Sequence, residues 1–85
     1  MTAKLLSHGM KPIAETKIQF NLKKVRESRG ISQNELARKL EMSGTGVQRY
    51  EWGNIKSIPF EMLEKFCEVL DCTPADLLTY DPNKK

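Results

Sequence analysis

Ser32-Gln-Asn-Glu-Leu-Ala-Arg-Lys-Leu-Glu-Met-Ser-Gly-Thr-Gly-Val-Gln-Arg-Tyr-Glu-Trp-Gly53 decides the fold. Ser32 and Glu35 stand at the spacing of a capping box, in which the Ser side chain accepts from the N3 amide and the Glu carboxylate reaches back. The helix they open runs from about Gln33 to Leu40, with Leu36, Ala37 and Leu40 on one stripe. Glu41-Met42 then makes a tight turn. Ser43 is a second N-cap, for a helix running to about Glu51 with Val47 and Tyr50 facing inward. Gly53-Asn54 stops it. Two short helices separated by about three residues, with small Ala37 at the closest approach and apolar Met42 and Val47 fixing the crossing angle, form a helix-turn-helix.

Outward from this pair, Asn21 is an N-cap candidate. Leu22, Val25 and Arg26 follow helical spacing, and Gly30 supplies a left-handed C-cap. Further back, Lys17-Ile18-Gln19-Phe20 alternates polar and apolar, which suits a short strand or extended lead-in; three or four residues need a partner strand to be stable. On the C-terminal side, Ile55 to Pro59 reads as a loop and Pro59 suits the first turn of a fourth helix. Met62, Leu63, Phe66, Cys67 and Leu70 form its core stripe. Thr73 caps a fifth helix, with Pro74 at its first position, Leu77, Leu78 and Tyr80 packing inward, and Asp81-Pro82 ending it. The expected fold is all-α, a five-helix domain over 18–82, preceded by an extended, flexible arm over 1–17 and followed by a frayed tail over 83–85.

Composition narrows the functional class. The chain has 85 residues, 39% apolar and 29% charged, which suits one soluble domain whose small core favours helix-on-helix packing. Neither a stretch near the ~20 apolar residues of a membrane span nor a signal-peptide core is present, so a cytoplasmic location is expected. Cys67 and Cys72 are five apart, which on one helix points them to different sides, so no disulfide is expected. Only His8 is left to join them, too few donors for a zinc site of about four ligands. Neither a metal nor any other cofactor is expected. An enzyme is excluded on the same footing: a nucleophile needs a base held beside it, and the sole histidine lies in the arm. Charge is graded along the chain. Residues 1–24 carry five Lys and one Glu (+4), residues 25–56 six basic and four acidic side chains (+2), and residues 57–85 three basic and six acidic (−3). The front and middle therefore suit a polyanion and the end faces away from it.

Ile31-Ser-Gln-Asn-Glu-Leu-Ala-Arg-Lys-Leu, Met42-Ser43, Tyr50-Glu51-Trp52-Gly53 and Leu63-Glu-Lys-Phe-Cys-Glu-Val-Leu-Asp-Cys-Thr-Pro-Ala-Asp-Leu-Leu together resemble the Cro/cI (Xre-type) helix-turn-helix regulators, in particular their short stand-alone members. The resemblance covers about residues 18–82. It implies double-stranded DNA as the partner, with the third helix (about 44–51) in the major groove. By resemblance, Gly44, Thr45 and Arg49, with Gln48 beside them, stand at positions that reach base edges. Gln33, at the start of the second helix, matches a phosphate-contacting position, and Ser32 and Ser43 cap the two helices where phosphates lie. Asn54 and Lys56 match a backbone-clamping loop, and Arg26 with Glu51 matches a structural salt bridge from the first helix to the third.

The sequence departs from the family pattern in three places, at four residues. Gly44 and Gly46 fall in the leading half of the reading helix, each costing roughly 1 kcal/mol relative to alanine. Glu41 replaces the usual turn glycine. Trp52 stands where a small polar residue is usual, and either stacks on the sugar-phosphate backbone or packs on a partner subunit. The resemblance further implies transcriptional repression by a homodimer on an inverted repeat. The dimer contact is expected either at the fifth helix and tail or at the 17–20 segment. The competing reading is an antitoxin-like or phage-type regulator that acts chiefly by binding a protein partner, through the N-terminal arm.

Overall fold

The computed structural model describes residues 11–84. A 3-10 turn at Ile13–Glu15 leads into strand β1, Ile18–Phe20. Five helices follow: α1 Leu22–Ser28, α2 Gln33–Leu40, α3 Gly44–Trp52, α4 Phe60–Leu70 and α5 Pro74–Leu77. Strand β2, Leu78–Tyr80, closes the chain against β1 in antiparallel register, Ile18 opposite Tyr80 and Phe20 opposite Leu78. The architecture is the expected five-helix one, with a small two-stranded sheet added.

The core is the sum of the apolar stripes. Leu22, Leu36, Ala37, Leu40, Val47, Phe66, Leu70 and Leu77 are buried together. Phe20, Tyr50 and Phe66 form an aromatic triangle with ring centroids 5.3–6.4 Å apart, two of its three contacts edge-to-face and the Phe20–Phe66 pair tilted, geometries the ring quadrupole favours. These contacts tie β1, α3 and α4 together, so the strand is as much a part of the core as the helices.

Local signals explain most boundaries. Ser32 accepts from the Glu35 amide at 3.1 Å, and the Glu35 carboxylate reaches the Ser32 amide at 3.5 Å. Ser43 accepts from the Gly46 amide at 3.0 Å. Gly30 and Gly53 take positive φ at the ends of α1 and α3. The turn without a glycine is built by placing Glu41 itself in the left-handed region, φ 56°, a conformation costing a non-glycine residue roughly 1–2 kcal/mol. At the far end of the domain, Arg29 caps the last carbonyls of α4, donating to Leu70 O at 2.7 Å and Asp71 O at 3.0 Å. The amide and hydroxyl of Thr73 both donate to the Asp76 carboxylate, holding its pKa below the ordinary value.

Four expectations need correction. The fifth helix stops after one turn at Leu77 because the Asn21 amide takes the Leu77 carbonyl at 2.7 Å, and Leu78–Tyr80 continues as the partner strand that β1 requires. Tyr80 accordingly is 65% exposed rather than packed inward. Asn21 precedes α1 without capping it; its side-chain amide donates to the Thr79 hydroxyl at 3.3 Å. Finally, Cys67 and Cys72 do not share a helix. Asp71 adopts φ 52° and turns the chain back, so the Cys72 amide donates to the Cys67 carbonyl at 3.0 Å. Their side chains thus adjoin at a Schellman-type helix end. Both are free thiols, and burial, followed by the neighbouring Cys67, pushes the Cys72 thiol up to about 11. Cys72 is therefore protonated at neutral pH and a poor nucleophile.

Before β1, residues 13–16, at the C-terminal end of the arm expected over 1–17, are bonded to the domain. The Ile13 amide donates to Ile55 O at 2.7 Å and the Ala14 amide to Gly53 O at 3.0 Å. The Thr16 hydroxyl closes the turn on Ile13 O at 2.7 Å, and the Lys84 ammonium donates to Ala14 O at 2.9 Å. Pro12–Thr16 is thus a strap laid across the α3–α4 loop, while residues 1–10 lie outside the described residues. Gly53 is required under this strap twice over. Its φ is +71°, and a Cβ there would sit 3.0–3.2 Å from Ala14. Gly53→Ala is expected to lower stability by about 1–3 kcal/mol, read as a shift in urea midpoint; an unchanged midpoint would show that the strap yields freely.

Candidate nucleic-acid interface

The helix-turn-helix is held by polar as well as apolar contacts. Arg26 on α1 donates to both carboxylate oxygens of Glu51 on α3, Nε to Oε2 at 2.5 Å and a terminal nitrogen to Oε1 at 3.3 Å. The two side chains are only 10% and 1% exposed. The hydrogen bond to Glu51 raises the Arg26 pKa above its ordinary value against the opposing effect of burial. Arg26 also donates to Ile31 O at 2.8 Å, just before the Ser32 cap, and Gln33 Nε2 donates to Glu51 Oε1 at 2.9 Å. One carboxylate therefore joins the first helix, the start of the second and the end of the third, fixing how α3 projects. The expected Arg26–Glu51 salt bridge is present; the part played by Gln33 in it was not anticipated, since side-chain amides carry no spacing signal.

Helical spacing puts Thr45, Gln48, Arg49 and Trp52 on one face of α3. Thr45, Arg49 and Trp52 are exposed and Gln48 is half-buried. None of the polar side chains on this face is bonded to another described residue. Val47, on the opposite face, is fully buried. Gly44 and Gly46 lie to either side of Thr45. A Cβ at Gly44 would meet only Asn34 Oδ1, at an ordinary 3.5 Å, so the N-terminus of α3 stands beside that of α2. At Gly46 a Cβ would come within 2.7 Å of the Met42 terminal methyl and 3.3 Å of Ser43 Oγ, so a larger residue there requires the flexible tip of Met42 to move.

The N-termini of α2 and α3 thus lie together, with exposed Ser32 and Ser43 at their caps. Each cap hydroxyl accepts from an amide and keeps its own proton for an outside acceptor. Free amides at both helix starts favour an anion. Beyond the C-terminus of α3, Arg49, Asn54, Ile55, Lys56, Ser57 and Pro12 line a shallow recess of about 440 Å³. It brings two cations and two neutral donors to one place. Ser57 and Pro12 are additions to the set read from sequence. Trp52 is not part of this recess; it is 64% exposed and lines a neighbouring groove with Ile13, Ala14, Ile18 and Phe20.

Comparison with known proteins bears on the fold and the family. An inferred DNA-binding protein of Bacteroides fragilis superposes with TM-score 0.66 at 21% identity, over 73% of this chain and 98% of that one. Two structures of the clp gene regulator ClgR of Corynebacterium glutamicum superpose with TM-scores 0.60 and 0.59 at 29% identity. They match over 65% of this chain and 69% and 57% of theirs. No curated protein sequence matches. The family model of the Cro/C1-type helix-turn-helix DNA-binding domain matches residues 21–83, and the chain belongs to that family.

Proposed function

We propose that the protein is a sequence-specific transcriptional repressor, active in the cytoplasm as a homodimer on an inverted repeat. The observation that carries this reading is the α3 face, where exposed Thr45 and Arg49, with Gln48 beside them, have no partner among the described residues above a fully packed inner side. In the free protein solvent satisfies these side chains, and a duplex can replace that solvent with base-edge donors and acceptors. Inserted in the major groove, Arg49 pairs bidentately with a guanine and Thr45 meets a thymine methyl or a phosphate. Gly44 lets the backbone approach closely.

Phosphates on one side are held at the paired helix starts by Ser32, Gln33 and Ser43. Gln33 is suited to this although Glu51 takes one of its amide protons, because the second amide proton stays free to donate. On the other side Asn54 and Lys56 clamp the backbone. Trp52 extends the face toward the sugar-phosphate chain. One domain spans few base pairs, so two copies with half-sites about one helical turn apart are needed for specific binding. Selection of bound sequences from random duplex, followed by footprinting, is expected to return an inverted repeat protected over two such half-sites. Recovery of no consensus, together with no duplex binding at low salt, would instead support the partner-protein reading.

A further inference from the structure

We infer that Lys11, held by the strap Pro12–Thr16 beside the α3–α4 loop, is a DNA-backbone contact. This rests on the DNA-binding reading above and extends it to a part of the chain outside the helix-turn-helix. Three observations support it.

The first is direction. Ile13 bonds to Ile55 and Ala14 to Gly53, so the strap runs antiparallel to the loop. Each step back from Ile13 therefore advances toward Lys56 and Ser57. Pro12 already lines the recess with Arg49, Asn54, Lys56 and Ser57, and Lys11 follows at one Cα step, about 3.8 Å. The second is rigidity at the exit. Pro12 has φ −59° and ψ 151°; its ring fixes φ and biases the residue before it to extended backbone. The chain thus leaves the recess in a set direction, with Lys11 exposed. The third is charge. Residues 1–14 contain Lys4 and Lys11 and no acidic side chain, whereas six of the eleven acidic residues fall in 57–85. A polyanion fits the exit of this strap, and an acidic protein surface is the alternative the experiment must separate.

The test compares the full chain with Lys11→Ala and Lys11→Glu on the selected duplex over a range of salt. Loss of one phosphate contact is expected to reduce the slope of log K against log salt by about one per bound copy. Lys11→Glu is expected to weaken binding at least tenfold at low salt, to all sequences alike. A photoreactive residue at position 11 is expected to crosslink the duplex, and one at Lys65, on α4 beside the C-terminal end of α2, is not. Unchanged affinity and slope in both variants, or crosslinking of position 11 to a protein in place of duplex, overturns the inference while leaving the α3 reading intact. A wild-type chain that binds no duplex at low salt overturns both.

Discussion

Arg49→Ala is expected to abolish most discrimination between the operator and random duplex while leaving the fold intact. Arg49 is exposed and its guanidinium is bonded to no other described residue, so its removal opens no cavity and orphans no partner. It is the one cation on the α3 face, where a planar fork of donors can match guanine O6 and N7. Such a pair is worth about 1–3 kcal/mol of discrimination, and two half-sites double it. The ratio of operator to random affinity should therefore drop by between about thirtyfold and 10⁴-fold, measured by competition at fixed salt. Binding to random duplex should weaken far less, because Lys56, the paired helix starts and the remaining cations are untouched. A variant that kept the full ratio would move the reading surface away from α3. Thr45→Ala and Gln48→Ala then become the deciding measurements, since those side chains share the face.

The contrast between Arg49 and Gln33 shows how far a sequence can be read toward such a site. Caps and stripes are local, and the Ser32–Glu35 box, the Ser43 cap, the Gly30 and Gly53 stops and the inward Leu36, Ala37 and Val47 all stand where their spacing placed them. The Arg26–Glu51 pair, 25 residues apart, was accessible only through resemblance to a family. What stayed hidden depends on distant backbone. Leu78-Thr79-Tyr80 suits a strand as well as a helix end. The carbonyl of Leu77 decides between them by accepting from Asn21, adjacent in space but distant in sequence. The strap gives no periodic signal because its order comes from two amides bonded to the carbonyls of Gly53 and Ile55. Gly44 and Gly46 look alike in the sequence, yet one stands in open contact and the other is crowded by Met42. The candidate interface was thus legible where one helix face carries it, and illegible where the approach of a separate segment builds it.

The scaffold beneath that face should be more sensitive than the face itself. Removing either member of the Arg26–Glu51 pair leaves a charge in a site that has excluded nearly all water, at a cost of about 3–5 kcal/mol. That is a large part of the ~5–15 kcal/mol that stabilises a domain. Arg26→Met is expected to be the harsher change. It strands the Glu51 carboxylate with only the Gln33 amide, and it frees the Ile31 carbonyl at the entrance to α2. Glu51→Leu leaves Arg26 the Ile31 carbonyl, and Arg26 is the less deeply buried of the two side chains. The double variant Arg26→Met/Glu51→Leu should recover much of the loss, because apolar groups of similar volume replace a buried pair at little net cost. Urea unfolding of the four proteins measures the coupling directly. A coupling above about 2 kcal/mol is expected, with the single variants also losing duplex affinity because α3 and Gln33 lose their common anchor. If both single changes cost less than about 1 kcal/mol and act additively, the pair is not what orients α3. The aromatic contacts of Tyr50 with Phe20 and Phe66 must then hold the helix in place.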